Sequence, residues 1–411
     1  MRISKVEAFL LSYPLPQPLE LDYYGGRRTI VKRDAMLVRI QADNGLVGYG
    51  PAAASERWKE RIEQEIAAFL HGRVLADPDA LRVRFVDQHG GDAELLKIYS
   101  CLEIALYDLA GKARGLPVSE FLGGRIRDTI RLYGSAGMYM EPEGYAAEAK
   151  LCQQLGFSAY KMRPALGPET DLETVRKMRK ATGPGFGLMV DAHTWWRMGD
   201  RSYSQDVVEQ LASKMSEYDL VWLEEPLDPH QHEAYRKLKA RDLVPLASGE
   251  HEPDEEGFLD LLNGPCVDYV QMDLVCQGGF SWGRRLFGAV QAAGLRFAFH
   301  SWGTALELIA AAQLGICWPE QVVEWLEYPC YSTPEKKFMY PWPLAEEILA
   351  QPLEIVDGHL VVPAKPGLGV EVNESVIEKY PWIPGPWSYF SLTSPKQTFA
   401  VTADHSVKMV F

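Results

Sequence analysis

Two hydrophobic rhythms divide the chain. Near the N-terminus, MRISKVEAFLLSY and AMLVRIQADNGLVGYG alternate apolar and polar positions, which predicts strands, and Asn44-Gly45 predicts a hairpin turn in the second. LDYYGGRRTIVKRDA, between them, is rich in Tyr, Gly and Arg and reads as a mobile loop. From about Glu56 to Phe121 the spacing becomes helical, and SCLEIALYDLAGKARGLPVSEFLGG is a strong helix stopped at Gly115-Leu116-Pro117. Beyond residue 126 short apolar runs recur, each followed by a helix-like stretch: IRLYGSA, FSAYKMR, LMVDAH, LVWLEEP, VPLASGE, VDYVQMD, RFAFHS and VVEWLEY. Eight such units predict a parallel (β/α)8 barrel. After residue 346 strand and turn chemistry returns, and the aromatic tail to Phe411 reads as packing or interface surface.

Polar residues stand where the apolar runs stop: Lys161 and Arg163, Asp191 and His193, Glu224, Glu250, Asp273, His300 and Glu327. In a barrel those ends face the active-site mouth. Successive positions are 23 to 33 residues apart, about one strand–helix unit. Asp191, Glu224 and Glu250 would then converge from adjacent strands. Two carboxylates about 4 Å apart repel by about 4 kcal/mol at an effective dielectric of 20. A cation resolves the conflict, and hard oxygen donors suit Mg2+.

Composition narrows the partners. A chain of 411 residues suggests roughly two domains. Its 56 acidic against 42 basic residues give a net charge of −14, which opposes binding to nucleic acid or anionic membranes. The six cysteines form no C-x-x-C pair and fit reduced thiols. The apolar N-terminal run is broken by Pro14, Pro16 and Pro18, and no stretch approaches about 18 apolar residues, so a cytoplasmic protein is expected. Gly183-Pro184-Gly185-Phe186-Gly187 precedes a strand and is a turn, so no dinucleotide site is inferred.

DNGLVGYG, the LEIALYDLAGKARGLPVSEFLGG helix, KMR, VDAH, WLEEP, SGE, VDYVQMD, FHSWG, LEYP and PGLGVEV follow one another in order. On these motifs the chain resembles the enolase superfamily, in its mandelate racemase-like subgroup, over nearly its whole length. The resemblance implies an α+β capping domain at 1–125, a modified (β/α)7β TIM-type barrel at 126–345, and a C-terminal segment at 346–411 that packs back on the capping domain. It also implies abstraction of the proton α to a carboxylate with help from Mg2+. Asp191, Glu224 and Glu250 match the metal ligands, Asp273 and His300 the acid/base dyad, and Glu327 the group that hydrogen-bonds the substrate carboxylate. Capping-domain loops set specificity in this family, which makes Tyr23, Tyr24, Arg27 and Arg28 candidates; an Arg there could meet the second carboxylate of an aldarate. Relatives are commonly homo-oligomers.

The pattern also departs from the racemases, which carry Lys-x-Lys where this chain has Lys161-Met162-Arg163. Arginine is a poor base and a good carboxylate clamp, which weakens a two-base racemase. His193 stands where many relatives have Asn, and acid, base or substrate ligand are all open to it. Glu225 is expected on the opposite face from Glu224, and His251 at the rim. Trp195 and Trp196 offer either a wall over a sugar or loop packing. The best fit is an acid-sugar dehydratase forming a 2-keto-3-deoxy product. A racemase, epimerase or cycloisomerase comes next, and a silent sugar-acid binding protein last.

Overall fold

The computed structural model describes residues 1–330, 341–404 and 406–410. An antiparallel sheet opens the chain with β1 (Ile3–Tyr23), β2 (Gly26–Ala42) and β3 (Val47–Ala52). The stretch expected to be a mobile loop is instead the far half of the β1–β2 hairpin, and only Tyr24 and Gly25 lie between the strands. Alternation was hidden there because the inward positions of β2 include Arg28 and Lys32, which are buried yet polar. Pro14, Pro16 and Pro18 are tolerated because β1 lies at a sheet edge, and the pairing register shifts between Pro14 and Leu19.

The helix Ala93–Arg114 packs across this sheet, capped by Asp92 at its start and by left-handed Gly115 at its end. The approach is close enough that a Cβ on Gly48 would lie 2.3 Å from Ala105 O. Glycine in DNGLVGYG is thus a packing requirement.

The eight predicted runs become β4 (Thr129–Met138), β5 (Ala159–Arg163), β6 (Gly187–Asp191), β7 (Leu220–Glu224), β8 (Leu246–Ser248), β9 (Tyr269–Asp273), β10 (Arg296–His300) and β11 (Val323–Pro329). All pair in parallel, and β11 closes on β4. A short hairpin, β12 (Ile355–Val356) and β13 (His359–Val361), extends the sheet beyond β4. The tail then forms β14 (Ser388–Leu392), β15 (Thr398–Val401) and β16 (Val407–Met409), and β14 pairs with β2. The C-terminal segment therefore completes the N-terminal sheet.

Inside the barrel one apolar layer is filled by large side chains interspersed with alanines: Tyr133, Ala159, Met189, Trp222, Ala247, Tyr269, Ala298 and Trp325. Strand side chains repeat every second residue. Two residues further along these strands come Ser135, Lys161, Asp191, Glu224, His300 and Glu327, all buried. The layer plugs the barrel and dries the floor beneath the polar ring.

On the barrel's outer side, His232 bridges Asp260 and Glu252 at 2.5 and 2.9 Å. Burial opposes its charge, but these two acceptors outweigh it and raise its pKa. Stability from this bridge is therefore full below about pH 6.5, the ordinary histidine value, and lost as pH rises through the raised folded value. The site is partly exposed, so the effect is small. His232→Gln is expected to lower Tm by about 1–2 °C at pH 6 and by less at pH 9, measured by calorimetry.

Candidate active site

Each floor residue owes its place to the barrel's register. Asp191 pairs with Glu224 across β6–β7, and Asp273 with His300 across β9–β10. His300 Nδ1 lies 3.0 Å from Asp273 Oδ2, and Asp273 Oδ1 accepts the backbone N–H groups of Val275 and Cys276. The carboxylate is thus held rigidly and in turn orients the imidazole. His300 Nε2 points at the floor, 3.1 Å from Glu250 Oε2 and 3.8 Å from Glu327 Oε2. Burial opposes a charge on His300, but Glu250, Glu327 and Asp273 prevail and push it up to about 10.

Facing the dyad is a cationic pair on β5. Lys161 Nζ sits 2.8 Å from Glu224 Oε1, 3.2 Å from Glu327 Oε1 and 3.6 Å from Asp191 Oδ2. Burial disfavours its charge, yet Glu224 and Glu327 outweigh it and hold the ammonium well above its usual range. Arg163 reaches Glu327 Oε1 at 2.9 Å, Asp191 Oδ2 at 3.0 Å and the Ser135 hydroxyl at 2.9 Å. Glu327 also accepts from Ser301 N–H at 3.0 Å; burial opposes its charge, but Lys161, His300 and Arg163 hold it down at about 2.

The three carboxylates expected to share a cation stand at this mouth, Asp191 and Glu224 buried and Glu250 half-buried, but Glu224 is engaged by Lys161. Glu225 corrects the alternation argument. β7 ends at Glu224, and Glu225 takes a left-handed backbone (φ 40°) that returns its side chain to the mouth. Its Oε2 lies 2.7 Å from His251 Nδ1, which is 3.4 Å from Glu250 Oε1. Among the described residues, Glu225, Glu250 and His251 have ligand atoms that all lie within 4.8 Å of one another. Burial, with Arg197 and His300 behind it, pushes His251 down to about 4. Burial and the neighbouring acids also raise Glu224 to about 8 and Glu225 well above its usual range. Glu225 Oε1 is buried and accepts no hydrogen bond among the described residues, while both oxygens of Asp191 and Oε2 of Glu250 meet Arg163, His193 and His300 only as ion-pair contacts without hydrogen-bond geometry. Crowded, dry carboxylate oxygens of this kind fit a hard divalent cation.

His193 lies just past β6, also left-handed (φ 51°), with Nε2 3.0 Å from Asp191 Oδ1. Burial first, then Arg197, Arg163 and Arg28, hold it neutral. Trp195 meets His251 edge to face at 5.0 Å; the side chain of Trp196 lies outside the described residues.

Two loop candidates do not reach the floor. Arg27 is exposed on the outer face of the hairpin, paired with Asp22 and Glu20 at 2.6 and 2.8 Å. Tyr24 is 39% exposed and packs against Tyr203. Strand alternation sends Arg27 outward and its neighbour Arg28 inward, where Arg28 is buried against Trp387 and Phe390. Tyr23 is buried, and its hydroxyl donates to Arg197 O at 2.5 Å.

Sequence reasoning missed Ser135, Trp302, Glu307 and Arg197. Ser135 shares the every-second-residue register of the other floor groups and could have been found that way. Trp302, in the FHSWG motif, lies over the Arg163 guanidinium at 4.0 Å. Its N–H donates to Glu307 Oε1 at 3.1 Å, beside the Ser301 hydroxyl at 2.6 Å, so Glu307 braces the loop after His300.

The mandelate racemase / muconate lactonizing enzyme N-terminal domain matches residues 7–123, and the enolase C-terminal domain-like family matches 144–376. D-galactarolactone cycloisomerase of Agrobacterium fabrum is 29% identical over 92% of this chain and 99% of its own length. L-rhamnonate dehydratase of Saccharopolyspora erythraea is 29% identical over 84% of this chain and 85% of its own. The crystal structure of 3,6-anhydro-D-galactonate cycloisomerase from Zobellia galactanivorans superposes with a TM-score of 0.78 at 28% identity, covering 92% of this chain and 99% of that one. With both family domains matched in order and the barrel and capping sheet in place, the chain belongs to the enolase superfamily, in its mandelate racemase-like group.

Proposed function

We propose that the protein is a Mg2+-dependent acid-sugar dehydratase, a hydro-lyase giving a 2-keto-3-deoxy sugar acid. The observation that carries this reading is asymmetry across the site: a His300–Asp273 dyad on one side, and on the other Lys161 and Arg163, both locked as cations by buried carboxylates. Only one face carries a base oriented by a carboxylate dyad, whereas a racemase needs proton transfer on both.

His300, once neutral, takes the α-proton, and Asp273 steadies the imidazolium that forms. Asp191, Glu224 and Glu250 would hold the Mg2+, with Glu225 and His251 adjoining, and the ion supplies Lewis-acid stabilisation of the charge developing on the substrate carboxylate. Lys161 and Arg163 add fixed positive charge to the same end of the substrate, and Glu327 hydrogen-bonds its carboxylate. The protonated His300 then returns its proton to the departing β-hydroxyl. A neutral His193 is a poor acid at pH 7 and serves as a ligand for a substrate hydroxyl.

A cycloisomerase is the second reading, favoured by the cycloisomerase relative aligned over 92% of this chain. The first half of the reaction is shared, and only the leaving group differs. Incubating aldonic acids, aldaric acids and their lactones with enzyme and Mg2+, followed by mass spectrometry, tests both. Dehydration yields a 2-keto acid lighter by one water, while cycloisomerisation leaves the mass unchanged. Epimers without any 2-keto product would overturn the proposal. Arg163→Ala is expected to raise KM by roughly 10–100-fold, with a smaller change in α-proton exchange at saturation, because the clamp is lost and the base remains.

A further inference from the structure

Two thiols meet on the outer side of the barrel, behind the polar floor. Cys152 lies in the helix Pro142–Gln154, and Cys330 directly follows β11. Both sulfurs sit over Gly134 of β4: a Cβ added there would lie 2.9 Å from Cys152 Sγ and 3.4 Å from Cys330 Sγ. Strand alternation explains the place, because Tyr133 and Ser135 point into the barrel and leave Gly134 facing the helix. The two thiols hydrogen-bond each other. Cys101, Cys266 and Cys317 instead donate to the backbone carbonyls of Val275, Asp260 and Ser119. Both backbones of the pair are anchored: Cys152 O accepts Phe157 N–H at 3.1 Å, and Cys330 N–H donates to Ser135 O at 3.0 Å. Cys152 is 1% exposed and Cys330 half-buried, so one member is sheltered and the other reachable.

Touching thiols can give up two electrons together, one from each sulfur. In the first step the Cys330 thiolate attacks the O–O bond of a hydroperoxide. An S–O bond forms, the O–O bond breaks, and the departing alkoxide or hydroxide takes up a proton. The Cys152 sulfur then attacks the sulfenic sulfur: the S–S bond forms, and hydroxide leaves with the Cys152 proton as water. In sum, two thiols and one hydroperoxide give a disulfide, one water and one alcohol (a second water when the oxidant is hydrogen peroxide). The order follows from the surroundings. The bond to Cys330, and then burial, raise the Cys152 thiol well above its usual range, so it waits protonated as the resolving partner.

We propose that Cys152 and Cys330 form a reversible oxidation site, closed to a disulfide by hydroperoxides and reopened by dithiols, which ties the outer helix to the strand end beside the floor. In a chain whose thiols are otherwise reduced, such a bond is a sensor and not a staple. One residue couples it to the floor. Ser135, whose carbonyl accepts from Cys330, turns its hydroxyl to Glu327 and Arg163. Glu327 itself stands three positions before Cys330, on β11. Drawing the sulfurs from hydrogen-bond contact into a covalent bond pulls the end of β11 toward the helix, and with it the group read as holding the substrate carboxylate. Oxidation therefore weakens substrate binding.

The test treats the full-length native protein with hydrogen peroxide, then alkylates and digests it for mass spectrometry. The expected product is a Cys152–Cys330 cross-linked peptide, two hydrogens lighter than the two free peptides together. It should form roughly tenfold faster than any change at Cys101, Cys266, Cys276 or Cys317, and dithiothreitol should restore both thiols. In Cys152→Ser, Cys330 should stop as a sulfenic acid that dimedone traps. Peroxide-treated wild type should show a KM for its sugar acid raised by roughly 3–10-fold, reversed by dithiothreitol and absent in Cys152→Ser. No cross-link, or oxidation of Cys330 to a sulfinic acid without Cys152, overturns the site. A cross-link that leaves KM unchanged overturns its coupling to the floor. The peptide map needs no substrate, so it stands or falls apart from the sugar-acid lyase reading.

Discussion

His300→Asn is expected to abolish turnover and, with it, exchange of the substrate α-proton with D2O. Asparagine can still reach Asp273 but cannot take a proton, so the loss should be at least roughly 10³-fold, near the upper range for removal of a general base. The exchange measurement by NMR matters more than turnover, because it isolates the first step from departure of the leaving group. Lys161 is the rival base: Glu224 and Glu327 hold its ammonium well above the usual range, and floor carboxylates likewise keep His300 protonated, but only the imidazole is oriented by a carboxylate held rigidly by backbone N–H groups, Asp273. His193 is neutral but turned onto Asp191. Near wild-type exchange in His300→Asn would place the base on one of these two and reopen the epimerase reading.

The second large effect concerns the floor carboxylates. Glu250 belongs both to the set expected from family resemblance, with Asp191 and Glu224, and to the cluster with Glu225 and His251. Glu250→Gln should therefore weaken Mg2+ binding by roughly 100-fold or more, since it removes a full negative charge from a dry site. Calorimetric titration of metal into the metal-stripped protein measures this directly. Glu225→Gln, which keeps a hydrogen-bond acceptor for His251, should cost less. Chelator should silence the wild-type enzyme and added Mg2+ should restore it. Unchanged Mg2+ affinity in Glu250→Gln would show that this floor is not the metal centre.

The barrel was legible in the sequence because its signal is local. Eight apolar runs, each ending in polar residues, mark strands whose tips must face one mouth, and all eight formed where the pattern placed them. Family motifs then attached roles to residues such as His300 and Asp273, which tertiary pairing brought to 3.0 Å.

What the sequence could not reveal follows from charge that points inward and from backbone that leaves the strand. Arg28 and Lys32 look like surface residues, so the long β1–β2 hairpin passed for a loop, and the loop reading could not separate the exposed Arg27 from the buried Arg28. Glu225 breaks strand alternation through a left-handed turn that only the fold discloses. The contact of Arg28 with Trp387 joins residues more than 350 positions apart. Local sequence determined which segments became strands and which residue types stood at their tips. Which charges shared a dry space was decided only by closure of the barrel and pairing of β14 with β2, because burial and neighbouring charge act through distance in space and not along the chain.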